Sequence, residues 1–223
     1  MRRVMVLLGA LSAIALSARA NILDYDADPG EGYQFYFAGG AGRIVLDDIT
    51  RANPAGMLIK QINIAFFNSN AFAVDATLYV FDATGTPPIG TPPIGRVGNL
   101  LFSATITGIP NGVSQLEFGT PPIGGGHQNL WIGLSVNAGG AGMLLTPAPG
   151  TPTVGVSRNF FAWDQNNNGV IDTGEYFFFG GPPNNPVANF AIEVYAIPEP
   201  ASMIALGSGL VGLLALRRRR QRV

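Results

Sequence analysis

An all-β fold, two antiparallel sheets packed as a jelly-roll-like β-sandwich, follows from three features of this sequence. Residues 61–66 (Gln-Ile-Asn-Ile-Ala-Phe) and 75–81 (Asp-Ala-Thr-Leu-Tyr-Val-Phe) place an apolar or aromatic side chain at every second position, the period of a half-buried strand. Gly-, Pro- and Asn-rich clusters at 38–42, 53–56, 110–112, 138–142 and 147–152 punctuate such runs at the spacing of turns. No ten-residue stretch between the two ends of the chain carries the apolar stripe of a helix. Many short strands at regular spacing are the pattern of a sandwich.

Taken in order, residues 1–20 come first. Arg2 and Arg3 precede an apolar run over 4–16, and Ala18-Arg19-Ala20 closes it. This is a basic n-region, an h-region and a small-x-small cleavage site, so a signal peptide cut after Ala20 is expected. The run is too short for a spanning helix. The body, residues 21–196, is one domain's length. Its strands are expected at 33–38, 44–49, 57–68, 72–81, 100–109, 114–118, 130–136, 143–145, 153–162, 176–179 and 188–195. Asp24, Asp26 and Asp28 are spaced by two, but Pro29 stands where a metal loop needs glycine, so this stretch reads as a solvated acidic turn. Thr-Pro-Pro-Ile-Gly occurs at 86–90, 91–95 and 120–124. Paired prolines cannot sit in a central strand, so 86–95 reads as a surface loop.

The body holds five basic and 13 acidic residues, a net charge of −8 that the two basic ends of the chain hide. Such a surface disfavours nucleic acid and anionic lipid and suits divalent cations. With no cysteine, disulfides, cysteine-ligated zinc, iron–sulfur sites and a thiol nucleophile are excluded. The sole histidine, His127, lies in a Gly-rich stretch and reads as a turn residue; no Gly-x-Ser-x-Gly elbow accompanies it. No phosphate-cradling glycine motif precedes a helix. Asp47, Asp48, Glu117 and Glu193 stay open as carboxylates for glycoside chemistry, because such pairing is spatial. The chain is not expected to be an enzyme.

One motif carries chemistry. Residues 164–175 read Asp-Gln-Asn-Asn-Asn-Gly-Val-Ile-Asp-Thr-Gly-Glu. Asp164, Asn166 and Asn168 stand at positions 1, 3 and 5, Gly169 at 6, Val170 at 7, Asp172 at 9 and Glu175 at 12. An oxygen-liganded calcium loop needs oxygen donors at 1, 3, 5 and 9, glycine for the sharp turn, a backbone carbonyl at 7 and a bidentate glutamate at 12. The segment resembles an EF-hand-type calcium loop at all 12 positions. Its aromatic flanks, 159–163 and 176–179, favour strands over the helices of an EF-hand. Calcium (Ca2+) is therefore expected as a structural ion, bound with the modest affinity of extracellular modules because three charged ligands serve it.

The last segment, 197–223, opens with Pro198-Glu199-Pro200, continues with a charge-free run over 201–216, and ends with five arginines in seven residues. The apolar run is just long enough for a transmembrane helix when 197–200 are added, and the arginines hold its end in the cytoplasm. Pro198 and Pro200 keep the stretch outside the membrane extended. These residues resemble the PEP-CTERM sorting signal of Gram-negative bacteria. The resemblance implies recognition and cleavage near the triplet by exosortase, a membrane peptidase. It also implies export with transient residence in the inner membrane, then association with the cell surface or an exopolysaccharide or biofilm matrix. The function expected is that of a non-catalytic surface or matrix protein. A carbohydrate-binding module using Trp131, Trp163, Tyr33, Tyr36 and Tyr176 is the alternative, with polysaccharide as its partner. A glycan-active hydrolase or lyase comes third.

Overall fold

The computed structural model describes residues 21–33, 35–89, 93–146, 151–158, 160–179 and 189–199. The signal peptide expected at 1–20 and the transmembrane helix expected within 201–216 lie outside these residues. Every regular element described is a strand. In order they are β1 (Ile22–Asp26), β2 (Tyr36–Phe37), β3 (Ile44–Thr50), β4 (Met57–Asn68), β5 (Val74–Asp82), β6 (Gly85–Ile89) and β7 (Ile94–Arg96). Then come β8 (Leu100–Ile109), β9 (Gly112–Ile123), β10 (Asn129–Val136), β11 (Ala141–Leu144), β12 (Phe160–Trp163), β13 (Tyr176–Phe178) and β14 (Ile192–Pro198).

Two six-stranded antiparallel sheets hold 12 of them. In the first, β9 runs along one edge of β4, while β14 and then β11 share the other; β1 flanks β14 and β2 flanks β11. The second has the order β13-β12-β3-β10-β5-β8. Alternation decides which residues meet between them. Ile62, Ile64 and Phe66 of β4, Phe118 of β9 and Val194 of β14 share one buried cluster with Leu78 and Val80 of β5 and Leu130, Ile132 and Leu134 of β10. Each such aliphatic side chain contributes roughly 1.5–3 kcal/mol by leaving water. Two sheets over one core is the packing of a sandwich.

The second sheet also buries its outer face. Trp131, Leu46, Ile44, Phe160 and Ala162 point away from the main core and form a second cluster with Ile94. Ile94 belongs to β7, which pairs with β6 as a separate two-stranded ribbon. The surface loop expected at 86–95 is thus corrected: its described residues form a hairpin that covers Trp131. The prolines are tolerated because the ribbon pairs only Gly85 with Arg96 and Ile89 with Ile94, leaving Pro87 and Pro88 between paired positions. The third copy follows the same rule. Pro121 and Pro122 sit on edge strand β9 inside a bulge, between the pairs Gln61–Gly119 and Ile59–Ile123.

The acidic turn expected at the start of the body is corrected as well. Asp24 and Tyr25 are fully buried in β1. Asp24 binds Arg51 Nε at 2.6 Å, with both side chains wholly buried. Arg51 spends its other donors on the carbonyls of Gly124 (2.7 Å), His127 (3.1 Å) and Met57 (3.0 Å). A buried arginine persists only with its donors satisfied, and here it ties β1, the glycine-rich loop after β9 and the start of β4 together. Other strand expectations shift in detail. The strand expected at 33–38 shrinks to β2, and 153–162 breaks into single bridges at Val154 and Val156 before β12.

Candidate calcium loop and its surroundings

Residues 164–175 join β12 to β13, which pair antiparallel through Phe160–Phe178, Phe161–Phe177 and Ala162–Tyr176. The loop is closed at its base by Trp163 N–H donating to Glu175 O at 3.0 Å, and anchored to the sheet by Asp164 N–H donating to Ile44 O at 2.9 Å. Asp164 is fully buried and Glu175 is nearly so. The Asp164 carboxylate accepts the N–H groups of Asn168 (3.0 Å) and Gly169 (2.8 Å). Gly169 has φ +80°, the left-handed turn that makes glycine the residue for position 6. Glu175 Oε1 accepts from Gln165 and Asn166 N–H at 2.8 and 3.2 Å, and Oε2 accepts from Asp172 N–H at 2.8 Å. Asp172 Oδ2 receives the amide Nδ2 groups of Asn166 (2.9 Å) and Asn168 (3.0 Å). Asn166 Oδ1 accepts Asn168 N–H, and Asn168 Oδ1 accepts Val170 N–H.

The side chains at positions 1, 3, 5, 9 and 12 are therefore joined in one network, while the Val170 side chain at position 7 points to solvent. Among the described residues no group of three or more His, Cys, Asp or Glu side chains is placed to hold a metal. In the loop, backbone N–H groups and two amide nitrogens occupy the positions around the carboxylates. The charge balance is the telling feature. The ion pairs among the described residues are Asp24–Arg51 and Asp48–Arg158, and neither reaches the loop. Among the described residues the two buried carboxylates of Asp164 and Glu175 accept five backbone N–H groups and form no ion pair. Buried charge without a counter-charge is costly.

The loop is fastened to the TPPIG hairpin, a link that no linear spacing announces. Arg96 Nη1 donates to Thr173 O at 2.9 Å, and its guanidinium lies 4.9 Å from the centre of the Tyr176 ring. Val97 N–H donates to Tyr176 Oη at 3.0 Å, and Trp131 Nε1–H donates to Gly95 O at 2.9 Å. Trp131 and Tyr176 meet edge to face at 5.5 Å, and Ile171 of the loop packs on the same cluster. Hairpin, tryptophan and loop are one packed unit.

Other residues singled out in the sequence fall elsewhere. Trp131 is wholly buried and offers no face to a sugar. Trp163 is half-buried, donates to Gly39 O at 2.9 Å and stacks under Arg43. Tyr33 and Tyr36 lie on the outer side of the first sheet, over Ala65, Leu144 and Ala191. Asp47 and Asp48 are both buried, and Asp48 binds Arg158 at 2.9 Å. Burial, then the adjacent Asp48, push the Asp47 carboxyl well above the ordinary carboxylate range; burial pushes Asp48 up to about 7 against the pull of Arg158. Among the described residues neither Asp47 Oδ2 nor Tyr25 Oη makes a well-formed hydrogen bond, with the Ser157 hydroxyl a polar neighbour of both. Glu193 and Glu117 flank Asn63 in one cross-strand row of the first sheet. A small cavity lined by Phe37, Arg43, Val45, Leu134 and Met143 contains no carboxylate.

At the far end, Pro198 closes β14 opposite Met57, and Glu199 N–H donates to Gly56 O at 2.8 Å. Pro200 and the remaining tail lie outside the described residues. Residues 196–220 match the PEP-CTERM protein-sorting motif. The match covers 25 of 223 residues. The motif marks an exported protein, sorted by its C-terminal signal to the cell envelope or surface, and exosortase is the kind of partner that recognises it. Neither a curated protein nor a solved structure matches the chain.

Proposed function

We propose that this chain is a non-catalytic protein of the cell surface or extracellular matrix, delivered by its tail and braced by one calcium ion in the loop 164–175. The sorting motif at 196–220, which begins within the last body strand, carries the reading. In this account the apolar run halts the exported chain in the inner membrane, exosortase cuts near Pro198-Glu199-Pro200, and the β-sandwich joins an exopolysaccharide or biofilm matrix. Asp164, Asn166, Asn168, Asp172 and Glu175 supply side-chain oxygens to calcium, and Val170 its carbonyl. In this reading bound calcium sets a positive charge beside the buried carboxylates of Asp164 and Glu175. Outside the cytoplasm calcium is plentiful enough to fill a weak site. The test is expression of the full chain with and without an exosortase, followed by cell fractionation. A tail-dependent move from membrane to surface or medium is expected; identical distribution in both strains contradicts the sorting role.

A second reading is favoured by one observation. The outer face of the first sheet sets Gln61 Nε2 on Asn63 Oδ1 (2.8 Å), Asn63 Nδ2 on Glu193 Oε2 (2.8 Å) and Tyr195 Oη on Glu193 Oε2 (3.2 Å). Alternating donors and acceptors beside a tyrosine ring suit sugar hydroxyls and a sugar face, which supports a carbohydrate-binding module on this sheet. Binding to a glycan array, lost in Tyr195→Ala, is the result expected of it. No binding to any glycan sets it aside.

A further inference from the structure

The sorting motif and the folded body overlap. The motif begins at Ala196, yet β14 runs to Pro198. Between β1 and β4, Ala196 pairs with Ile22 on one side and Ile59 on the other and is fully buried. Ile197 and Pro198 continue the pairing with Leu58 and Met57. Glu199 N–H is bound to Gly56 O, and Glu199 is partly covered. The expected division of the chain at 196/197 thus runs through a strand. The described part of the stretch expected to be extended is occupied by the body's own sheet up to Pro198.

A peptidase holds its substrate as an extended strand through backbone hydrogen bonds on both sides of the scissile bond. Backbone groups already paired in a sheet are unavailable until that part of the sheet opens, at a free-energy cost. The bonds from Ala196 to Glu199 are in that position. We infer that the fold sets the upstream limit of tail processing: the cut falls C-terminal to Glu199, and Pro198 and Glu199 remain on the mature body. This rests on the reading of the tail as a peptidase-processed signal. The step is hydrolysis. One peptide bond after Glu199 breaks, water supplies the hydroxyl that becomes the body's new carboxylate and the proton taken by the tail's new amino group.

The test uses the full chain in two arms. In the first, it is expressed with an exosortase and the C-terminus of the product is mapped by mass spectrometry. An end at Glu199 or beyond is expected. An end at Pro198 or earlier overturns the limit while leaving processing intact, and an uncut Val223 overturns the processing itself. In the second arm, the same chain purified in detergent is digested with a broad-specificity soluble protease. Trimming of the tail is expected to halt at or beyond Glu199 whatever the sorting peptidase does. A stable body ending within 196–198 contradicts the protection and so the inference.

Discussion

The two six-stranded sheets share a core but differ in how far their outer faces are covered. The outer face of the second sheet is aromatic and covered: Trp131, Phe160 and Tyr176 lie under the TPPIG hairpin and the loop 164–175. The outer face of the first sheet is open only in part: Tyr33, Tyr36 and Phe67 pack over Ala65, Leu144 and Ala191, while the register brings Asp26, Glu193, Asn63 and Glu117 side by side in a polar row with Glu117 exposed and Asn63 buried. An aromatic residue in an exported β protein invites a sugar-binding role, yet here burial decides against its largest ring. The covered face serves stability, and the open part of the other face is where the proposed sugar-binding reading puts its glycan.

The largest expected effect tests the covered face. Trp131→Ala removes a wholly buried ring and the donor to Gly95, and should cost about 3–5 kcal/mol in denaturant melts. A loss below about 1 kcal/mol would mean that the hairpin does not pack there.

The shared core supplies the next. A carboxyl whose folded-state pKa is raised holds its proton more tightly when folded. Its stabilising contribution is present below the unfolded value of about 4 and declines as pH rises through the folded value. For Asp48 that window closes at about 7, and Asp47 shifts in the same direction. Stability should therefore fall between about pH 4 and pH 7. Asp47→Asn should flatten this slope and stabilise by roughly 1 kcal/mol at pH 8. An unchanged slope in thermal melts across that range contradicts the assignment.

Smaller still is Arg96→Ala, which breaks the link from hairpin to loop. A loss of about 1 kcal/mol is expected from one cation–π contact and one hydrogen bond. The readout is weakened calcium affinity together with a shifted emission of Trp131, read in a Trp163→Phe background. Smallest is Tyr195→Ala on the open face. It should move stability by less than about 0.5 kcal/mol while removing any glycan binding.

What the sequence disclosed and what it hid divide along physical lines. Alternation in 61–66 and 75–81 reports a strand with one face buried, and β4 and β5 lie there. The spacing of Asp164 to Glu175 and the order triplet, apolar run, arginines are linear patterns, legible without a fold. Asp24 read as solvated because its partner Arg51 stands 27 residues away, and charge alone implies water until a counter-charge is in view. The TPPIG copies read as loop because proline is excluded from paired positions; all described prolines of the repeats avoid such positions, and the strands form around them. Arg96 drew no notice, since its contacts to Thr173 and Tyr176 come from the covering of one sheet by a distant hairpin.

The claim that the loop takes calcium and braces the covered face is met most directly by calorimetric calcium titration of the purified protein, with melting temperature followed in parallel. The account predicts one site in the micromolar-to-millimolar range and a rise in melting temperature, both lost in Glu175→Gln. No heat and no rise up to about 10 mM calcium, well past the range of extracellular modules, would contradict it.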